Sequence, residues 1–272
     1  VETLRMNGVL LSQIAPNGGI ISGSSSVVQL DAWNWEDAVI RYDQGIHLNW
    51  PSPYSSSGYS YYRGPSVVKK SDKYESDLEE IKNFFDSSKA YLNEPNPNPV
   101  SLPYKAMSSV FSGNATVFLH ANNEKQITDG VKFLQDQKIK NIVVVGGTNS
   151  LEAGDFLVDN NIKIALEQPH NLPSMEDEDV KSRFRLASQL INKGVTVAVD
   201  ATGQMTRMNT RNLPFFAGSF AAYGVEKEKA VETITLNAAK VLGIEDNYGS
   251  IEVGKSATLF ISHGDALDMR TN

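Results

Sequence analysis

From about residue 100 onward, short β-branched runs of the sequence alternate with segments in which apolar residues recur at helical spacing. One such segment has Ile127, Val131 and Leu134 on one helical face. This alternation is typical of βα units around a parallel sheet, and strands that are nearly all apolar should be covered on both faces. The predicted strands are residues 116–121 (TVFLHA), 141–147 (NIVVVGG), 162–168 (IKIALEQ) and 195–201 (VTVAVDA).

The first hundred residues are less regular but contain three further candidate strands. A predicted helix with Leu78, Ile81 and Phe85 facing inward follows a loop rich in Ser, Tyr and Gly. Residues 93–103 hold four prolines and are predicted to be a loop within one domain, because the alternation of strands and helices resumes directly after them. The candidate strands are residues 8–15 (GVLLSQIA), 26–30 (SVVQL) and 46–50 (IHLNW).

The composition is that of a soluble globular protein of 272 residues, with 40% hydrophobic and 21% charged residues. No apolar run is long enough to span a bilayer, which excludes a membrane protein. A net charge of -7 argues against nucleic acid as a partner, since binding to phosphates requires clustered Lys and Arg. The sequence has no cysteine, so disulfides, thiolate metal sites and cysteine nucleophiles are excluded, and imidazole and oxygen chemistry remains.

The sequence begins at Val1, without an initiator methionine or a signal-like apolar segment. Such a start is expected of a fragment or a processed form. It leaves the compartment open, and export to the periplasm is compatible with it.

The most specific stretch is residues 230–261, AVETITLNAAKVLGIEDNYGSIEVGKSATLFI. Its first part predicts a helix with Val231 and Val241 on the apolar face and its end at Gly243. After a turn, residues 250–253 and 257–261 are predicted to be two strands joined through Gly254. The stretch is therefore interpreted as a helix followed by a β-hairpin.

This stretch closely resembles the amidohydrolase superfamily, in which such a helix leads out of a (β/α)8 TIM-like barrel into a small β-sandwich. The segments APNGGIISGSSSVVQLD and GIHLNWP resemble the imidazolonepropionase-related members. The resemblance implies a barrel domain over residues 1–245, with strand 1 missing from this chain, and a hairpin of the sandwich over residues 246–272. The seven predicted strands then become barrel strands two to eight in chain order.

The resemblance also implies metal-assisted hydrolysis of C–N bonds other than peptide bonds. Amidohydrolases place an H-x-H pair on the first barrel strand, a lysine or glutamate on the fourth, one histidine each on the fifth and sixth, and an aspartate on the eighth. The metal polarises the carbonyl and lowers the pKa of its water, and the aspartate passes the water's proton to the leaving nitrogen. All of these groups meet at the carboxyl-terminal face of the barrel.

Only part of that set can be matched residue by residue. His120 ends the fifth strand and Asp200 the eighth, so these two are the predicted catalytic residues and metal ligands, with zinc or another divalent cation as cofactor. Gly146 and Gly147 stand where the histidine of the sixth strand would be, and the fourth strand offers His47 without a lysine or glutamate. No H-x-H pair occurs. An incomplete or altered site is therefore predicted, with a metal-free site as the alternative.

The two predicted site residues also have purely structural interpretations. His120 could close its strand by hydrogen bonding to loop carbonyls, and Asp200 could cap a helix or brace a loop. An alignment fixed on Gly194 would place Thr202 at the position of the catalytic aspartate.

The other three histidines are expected to lie outside the site. His47 is expected to be a packing residue beside Trp50, His170 to lie in a surface loop, and His263 to be exposed beyond the hairpin.

Three functional hypotheses follow from the sequence. The first is an amidohydrolase-type enzyme with an altered metal site and a small-molecule substrate. The second is an inactive member of that fold which binds a small molecule or a partner subunit. The third is a scaffold whose apolar hairpin associates with a second copy or with an upstream segment.

Overall fold

The computed structural model describes residues 2–57, 67–173, 178–201 and 209–271. Its strands are β1 (Leu11–Ile14), β2 (Ile21–Gln29), β3 (Val39–Asn49), β4 (Tyr54–Ser57), β5 (Val67–Lys70), β6 (Thr116–Asn123), β7 (Ile142–Asn149), β8 (Lys163–Glu167) and β9 (Val197–Asp200). The helices are α1 (Glu2–Arg5), α2 (Trp35–Ala38), α3 (Tyr74–Asn93), α4 (Leu102–Phe111), α5 (Glu124–Asp136), α6 (Gly154–Asp159), α7 (Ser182–Lys193), α8 (Leu213–Ala222), α9 (Lys227–Glu232) and α10 (Leu236–Leu242).

Seven strands form one sheet in the order β1-β2-β3-β6-β7-β8-β9, and β4 and β5 form a separate antiparallel pair. The strands β3, β6, β7, β8 and β9 are parallel neighbours, and helices connect β6 to β7, β7 to β8 and β8 to β9. This part of the large sheet is an incomplete TIM-like barrel, which confirms the predicted βα units.

The first three strands differ from the prediction. β1 pairs antiparallel with β2, and β2 pairs antiparallel with β3, so β1 and β2 form a meander on the edge of the sheet and do not continue the parallel barrel. The reason is the length of their connections: six residues separate β1 from β2, and the connection from β2 to β3 contains only the four-residue helix α2. A parallel crossover needs a dozen or more residues.

The two faces of the sheet have different coverings. The outer face packs against the long helices in the main core, with Leu119, Val144 and Ile164 contributing from neighbouring strands. The inner face carries a smaller cluster formed by Phe118, Val143, Val145, Ala165, Ala198 and Val241. Because Val241 belongs to α10, this helix fills the inner face beside the first halves of the parallel strands.

The predicted helix over residues 230–243 is divided into α9 and α10. Between the two helices, the carbonyl of Thr233 accepts a hydrogen bond from the amide of Val199 on β9, which takes that carbonyl out of a continuous helix. The predicted end is confirmed: Gly243 adopts the left-handed conformation that terminates α10.

The predicted C-terminal hairpin is not formed, since residues 250–261 make no strand pairs in the structure. Ile251, Val253 and Ile261 are 88%, 108% and 97% exposed, so no partner surface orders this segment as a sheet. Leu267, further on, returns to the main core of the barrel. The assignment of residues 246–272 to a separate sandwich domain stays a prediction.

Among the described residues, no helix combines the length and the apolar composition needed to cross a membrane.

Candidate functional site

The inner face of the parallel strands is apolar at its middle and polar at its carboxyl end. Side chains alternate along each strand, so the residue two positions after an inner-face residue also points inward. By this rule His120 follows Phe118 on β6, Glu167 follows Ala165 on β8, and Asp200 follows Ala198 on β9. These residues lie where the active sites of α/β barrels are found.

His47 and His120 form a contacting pair at this end. The Nδ1 atom of His47 lies 2.8 Å from the Nε2 atom of His120, and the two rings are 5.1 Å apart at their centroids. The register of β3 and β6 pairs His47 with Phe118 and Asn49 with His120, which places both imidazoles on the inner face of adjacent strands. His47 is 4% exposed, and its ring stacks on that of Phe118.

Both imidazoles are held neutral by their surroundings. Burial lowers the pKa of His47 to about 4, and the adjacent His120 adds to the effect. Burial also lowers the pKa of His120. Two neutral rings can share one hydrogen between the facing nitrogens, and one further ring nitrogen then keeps a lone pair at neutral pH.

The pair leaves one buried nitrogen without a partner. The Nε2 atom of His47 is inaccessible to solvent and makes no hydrogen bond. If His47 donates the shared hydrogen, its Nε2 atom is an acceptor without a donor. If His120 donates it, the Nε2 atom of His47 carries a hydrogen without an acceptor. Such a group in a folded protein calls for an explanation by a function, a water or an ion.

Two carboxylates lie on the other side of the same edge. Glu167 and Asp200 are register partners on β8 and β9, so their side chains leave the inner face next to each other. Burial raises the pKa of Glu167, while Arg183 and a 2.6 Å hydrogen bond from the Nδ2 atom of Asn171 act in the opposite direction. Asp200 is buried, at 9% exposure.

Strand β7 separates the imidazoles from the carboxylates. Its residue in register with His120 is Val145, and Gly146 and Gly147 follow. Neighbouring strands are spaced by about 4.8 Å, so β6 and β8 lie roughly 10 Å apart. Among residues 2–57, 67–173, 178–201 and 209–271, no group of three His, Asp or Glu side chains is arranged to hold a metal ion.

Comparisons with known proteins agree with this geometry. Residues 158–269 match the sequence profile of the amidohydrolase family. An amidohydrolase structure from Thermotoga maritima superimposes on 100% of this chain and 70% of that one, with a TM-score of 0.84 and 19% identity, which establishes a common fold. The C-terminal part of the chain is thus similar to the amidohydrolase family, and the fold as a whole is that of the Thermotoga maritima amidohydrolase.

Two further structures match the chain more weakly. An amidohydrolase with 14% identity covers 70% of this chain and 53% of that one at a TM-score of 0.45. An adenosine deaminase from Xanthomonas campestris with bound zinc has 19% identity, covers 66% of this chain and 47% of that one, and has a TM-score of 0.40. Similarities of this strength support no further conclusion. A comparison with curated proteins found no significant match to the sequence.

Amidohydrolases are generally metal-dependent. In this chain, Gly146 and Gly147 of β7 stand where those proteins have the histidine of the sixth barrel strand. The backbone there has positive φ angles, which strain a residue with a side chain. Gly146 has a φ of +98°, and a Cβ atom on it would lie 2.6 Å from the Oδ1 atom of Asn122. Gly147 has a φ of +60°, and a Cβ atom would lie 2.4 Å from the Cδ1 atom of Ile164. A histidine at either position would therefore be strained, and the sequence places none there.

The predicted site residues occupy the expected edge, and their roles stay predictions. His120 and Asp200 both end parallel strands on the inner face, but they are three strands apart. Thr202, the alternative to Asp200, lies outside the described residues. His263 is exposed, as expected. His170 lies in the loop after β8, where its Nε2 atom is 2.9 Å from the Oγ atom of Ser219 on α8.

Sequence reasoning misses the contact of His47 and the position of Glu167. His47 is expected from sequence to be a packing residue, and it does stack on Phe118, but it also contacts His120. The signal is present: once β3 and β6 are taken as parallel neighbours, histidines close to the carboxyl end of each strand must share an edge. Glu167 is detectable as the inward residue two positions after Ala165.

Gly45 on β3 provides the room for the ring that supports His47. A Cβ atom on Gly45 would lie 2.3 Å from the Cε2 atom of Phe118 and 3.0 Å from the carbonyl oxygen of Thr116. We therefore expect Gly45→Ala to lower the free energy of unfolding by about 1 to 3 kcal/mol, as overpacking does. Urea denaturation measures the change, and adding Phe118→Leu should recover part of it because the clashing ring is removed. Equal stability of Gly45→Ala and wild type would contradict this account.

Proposed function

We propose that this amidohydrolase hydrolyses a non-peptide C–N bond of a small molecule, such as a cyclic amide, through an altered metal site, and that it is related to the imidazolonepropionase-type members. The observation that carries the proposal is the buried His47–His120 contact at the carboxyl end of the inner face. Neutral imidazoles and nearby carboxylates at this position are the groups that metal-assisted hydrolysis uses.

The described residues supply only part of a site for a divalent metal such as zinc, because no three His, Asp or Glu side chains among them come together. His120 would be among its ligands, since a neutral imidazole is a common zinc donor and the pKa of His120 is lowered by burial. When bound, the metal would supply polarisation of the substrate carbonyl and a more acidic water. The Nε2 atom of His47 is buried without a hydrogen-bond partner, as a polar atom near a functional site can be.

The carboxylates supply proton transfer in this proposal. The carboxylate oxygens of Asp200 accept the proton of the attacking water and return it to the leaving nitrogen. Glu167, its neighbour on β8, has a pKa raised by burial, so it holds a proton more readily than an exposed glutamate.

A second candidate function is binding without hydrolysis. It is favoured by the absence, in the part of the chain that the structure describes, of three metal-ligating side chains in one place. The positive φ angles of Gly146 and Gly147, which strain any ligating side chain at these positions, also favour binding without hydrolysis. In this case the same edge would bind a small molecule or a partner subunit. Association through the exposed apolar residues of 251–261, with a second copy or an upstream segment, stays a prediction.

The two candidates are separated by assaying turnover of linear amides, cyclic amides and cyclic ureas with zinc and with a chelator. Under the first proposal, removing the metal or replacing His120 with alanine should lower turnover by more than about a hundredfold, since the metal contributes several kcal/mol to the transition state. His263→Ala, at an exposed histidine, is the matched control and should retain wild-type activity. Calorimetric binding of these compounds without turnover under any condition would favour the second candidate.

A further inference from the structure

Asparagine directly precedes glycine at two positions of the chain, Asn7-Gly8 and Asn17-Gly18. Asparagine is a chemically labile residue, and this pair is its most labile setting. The backbone nitrogen of the glycine can attack the side-chain amide of the asparagine, because glycine has no Cβ atom to block the approach. The structure places the two pairs in different surroundings, so their reactivity can be compared within one molecule.

The first pair is held by hydrogen bonds. The amide of Gly8 donates to the carbonyl of Arg5 at 3.0 Å, and the Nδ2 atom of Asn7 donates to the carbonyl of Thr3 at 2.8 Å. The ring of Phe260 lies against Gly8, where a Cβ atom would be 3.2 Å from it. Both reacting groups are thus engaged, and these contacts must break before the backbone nitrogen can reach the side chain.

The second pair has no such contacts. Asn17 and Gly18 are exposed in the connection between β1 and β2, and a Cβ atom on Gly18 would have no atom within 4 Å. Within residues 2–57, 67–173, 178–201 and 209–271, no group hydrogen-bonds to the amide of Gly18 or to the side chain of Asn17. The attacking nitrogen and the amide that it attacks can therefore approach each other without loss of a protein contact.

The connection that contains this pair lies at the edge of the candidate site. Ile21, the first residue of β2, is the register partner of Leu48 near the end of β3. The Nδ2 atom of Asn49 donates to the carbonyl of Gly19 at 2.8 Å, and Asn49 is itself the register partner of His120. A chemical change in this connection therefore takes place beside the carboxyl end of β3.

We propose that Asn17 is a site of spontaneous deamidation and that Asn7 is protected from it. The backbone nitrogen of Gly18 loses its proton and forms a C–N bond to the side-chain carbonyl carbon of Asn17, and the side-chain amide leaves as ammonia. Water then opens the succinimide at either carbonyl, which gives aspartate or isoaspartate.

The net reaction consumes water, releases ammonia and adds a negative charge to the β1–β2 connection. The isoaspartate product also lengthens the main chain by a methylene group, next to the carbonyl that Asn49 binds. This inference does not depend on the proposed function, because the reaction requires only Asn17, Gly18 and water.

The test follows both pairs in the same sample. Native protein is incubated in mildly alkaline buffer, in which the backbone nitrogen loses its proton more readily, and urea-denatured protein is incubated in parallel. Chymotrypsin cleaves after Leu10 or Leu11, so Asn7 and Asn17 end in separate peptides. Mass spectrometry measures the conversion of each peptide with time, and isoaspartyl methyltransferase identifies the isoaspartate product.

In native protein we expect Asn17 to convert at least about tenfold faster than Asn7, because the hydrogen bonds at Asn7 and Gly8 must open first. In urea the two rates should become similar, since the protecting contacts are lost. Equal rates in native protein, or no conversion at Asn17, would overturn the proposal. The same difference in urea as in native protein would overturn the protection of Asn7 by the fold.

Two matched variants provide an independent measurement by ion exchange, which separates the acidic product from the starting protein. Asn17→Gln should abolish most of the acidic fraction, because the longer side chain closes a larger ring. Asn7→Gln is the control and should accumulate this fraction at the wild-type rate. Wild-type accumulation in Asn17→Gln would show that another residue is modified and would contradict the assignment.

Discussion

Asp200→Asn is expected to lower turnover of a C–N substrate by at least about a hundredfold while leaving the fold intact. Asp200 ends β9 on the inner face and is buried at the edge where His120 lies. Asparagine has nearly the same shape, but it cannot accept and return a proton. The measurement is the steady-state rate constant on whichever amide the wild-type protein hydrolyses, together with the melting temperature of both proteins.

A matched control for this change is Asp136→Asn. Asp136 is exposed at the end of α5, away from the carboxyl ends of the parallel strands, so its substitution should leave turnover unchanged. If Asp200→Asn turns over substrate at the wild-type rate, Asp200 has no part in proton transfer. A large loss of stability in Asp200→Asn would indicate the alternative structural role of bracing a loop.

The second large effect expected is a loss of stability in mild acid caused by His47. The pKa of His47 is about 4 in the folded protein, against an ordinary value of 6.5. Above about pH 6.5 neither state binds this proton, and the contribution of His47 is fully present. As the pH falls from 6.5 to 4, the unfolded chain takes up a proton that the folded chain does not, so the free energy of unfolding decreases by about 3 kcal/mol.

The change can be isolated by comparing wild type with His47→Gln. Urea denaturation of metal-free protein at several pH values between about 7 and 4, a range set by these pKa values, gives the free energy of unfolding of each. Burial raises the pKa of Glu167, which acts in the opposite direction, but this contribution is common to both proteins and cancels in the difference. Parallel stability curves for the two proteins would show that His47 is not held neutral by burial.

How far the sequence specified the site can be judged strand by strand. The apolar runs ending in His120 and Asp200 predicted two parallel strands and the edge where they end, because a strand buried on both faces has a distinctive composition. Gly146 and Gly147 predicted that β7 carries no ligand at its end, and the structure adds that their positive φ angles would strain any side chain there. The prediction that residues 8–15 and 26–30 are parallel barrel strands was wrong, because it ignored how short the connections are.

The hairpin over residues 250–261 shows a limit of pattern reasoning. Alternating apolar residues around Gly254 indicate a strand pair, but strands form only when a partner and a covering surface are present. In the structure these residues make no strand pairs, and Val253 is fully exposed. The local pattern therefore predicted a tendency of residues 250–261 to form strands, and the missing partner surface is the reason why no strand pair forms.

The sequence by itself determined the βα alternation, the similarity of its C-terminal part to the amidohydrolase family, the end of the last helix at Gly243, and the strand-end positions of His120 and Asp200. These follow from periodicity and local chemistry, which short stretches of chain contain. Only the tertiary structure decided that His47 faces His120, that Glu167 stands beside Asp200, and that β7 separates the two pairs. The reason is physical: these contacts depend on which strands are neighbours and in what register, and residues 73 positions apart carry no local sign of their contact.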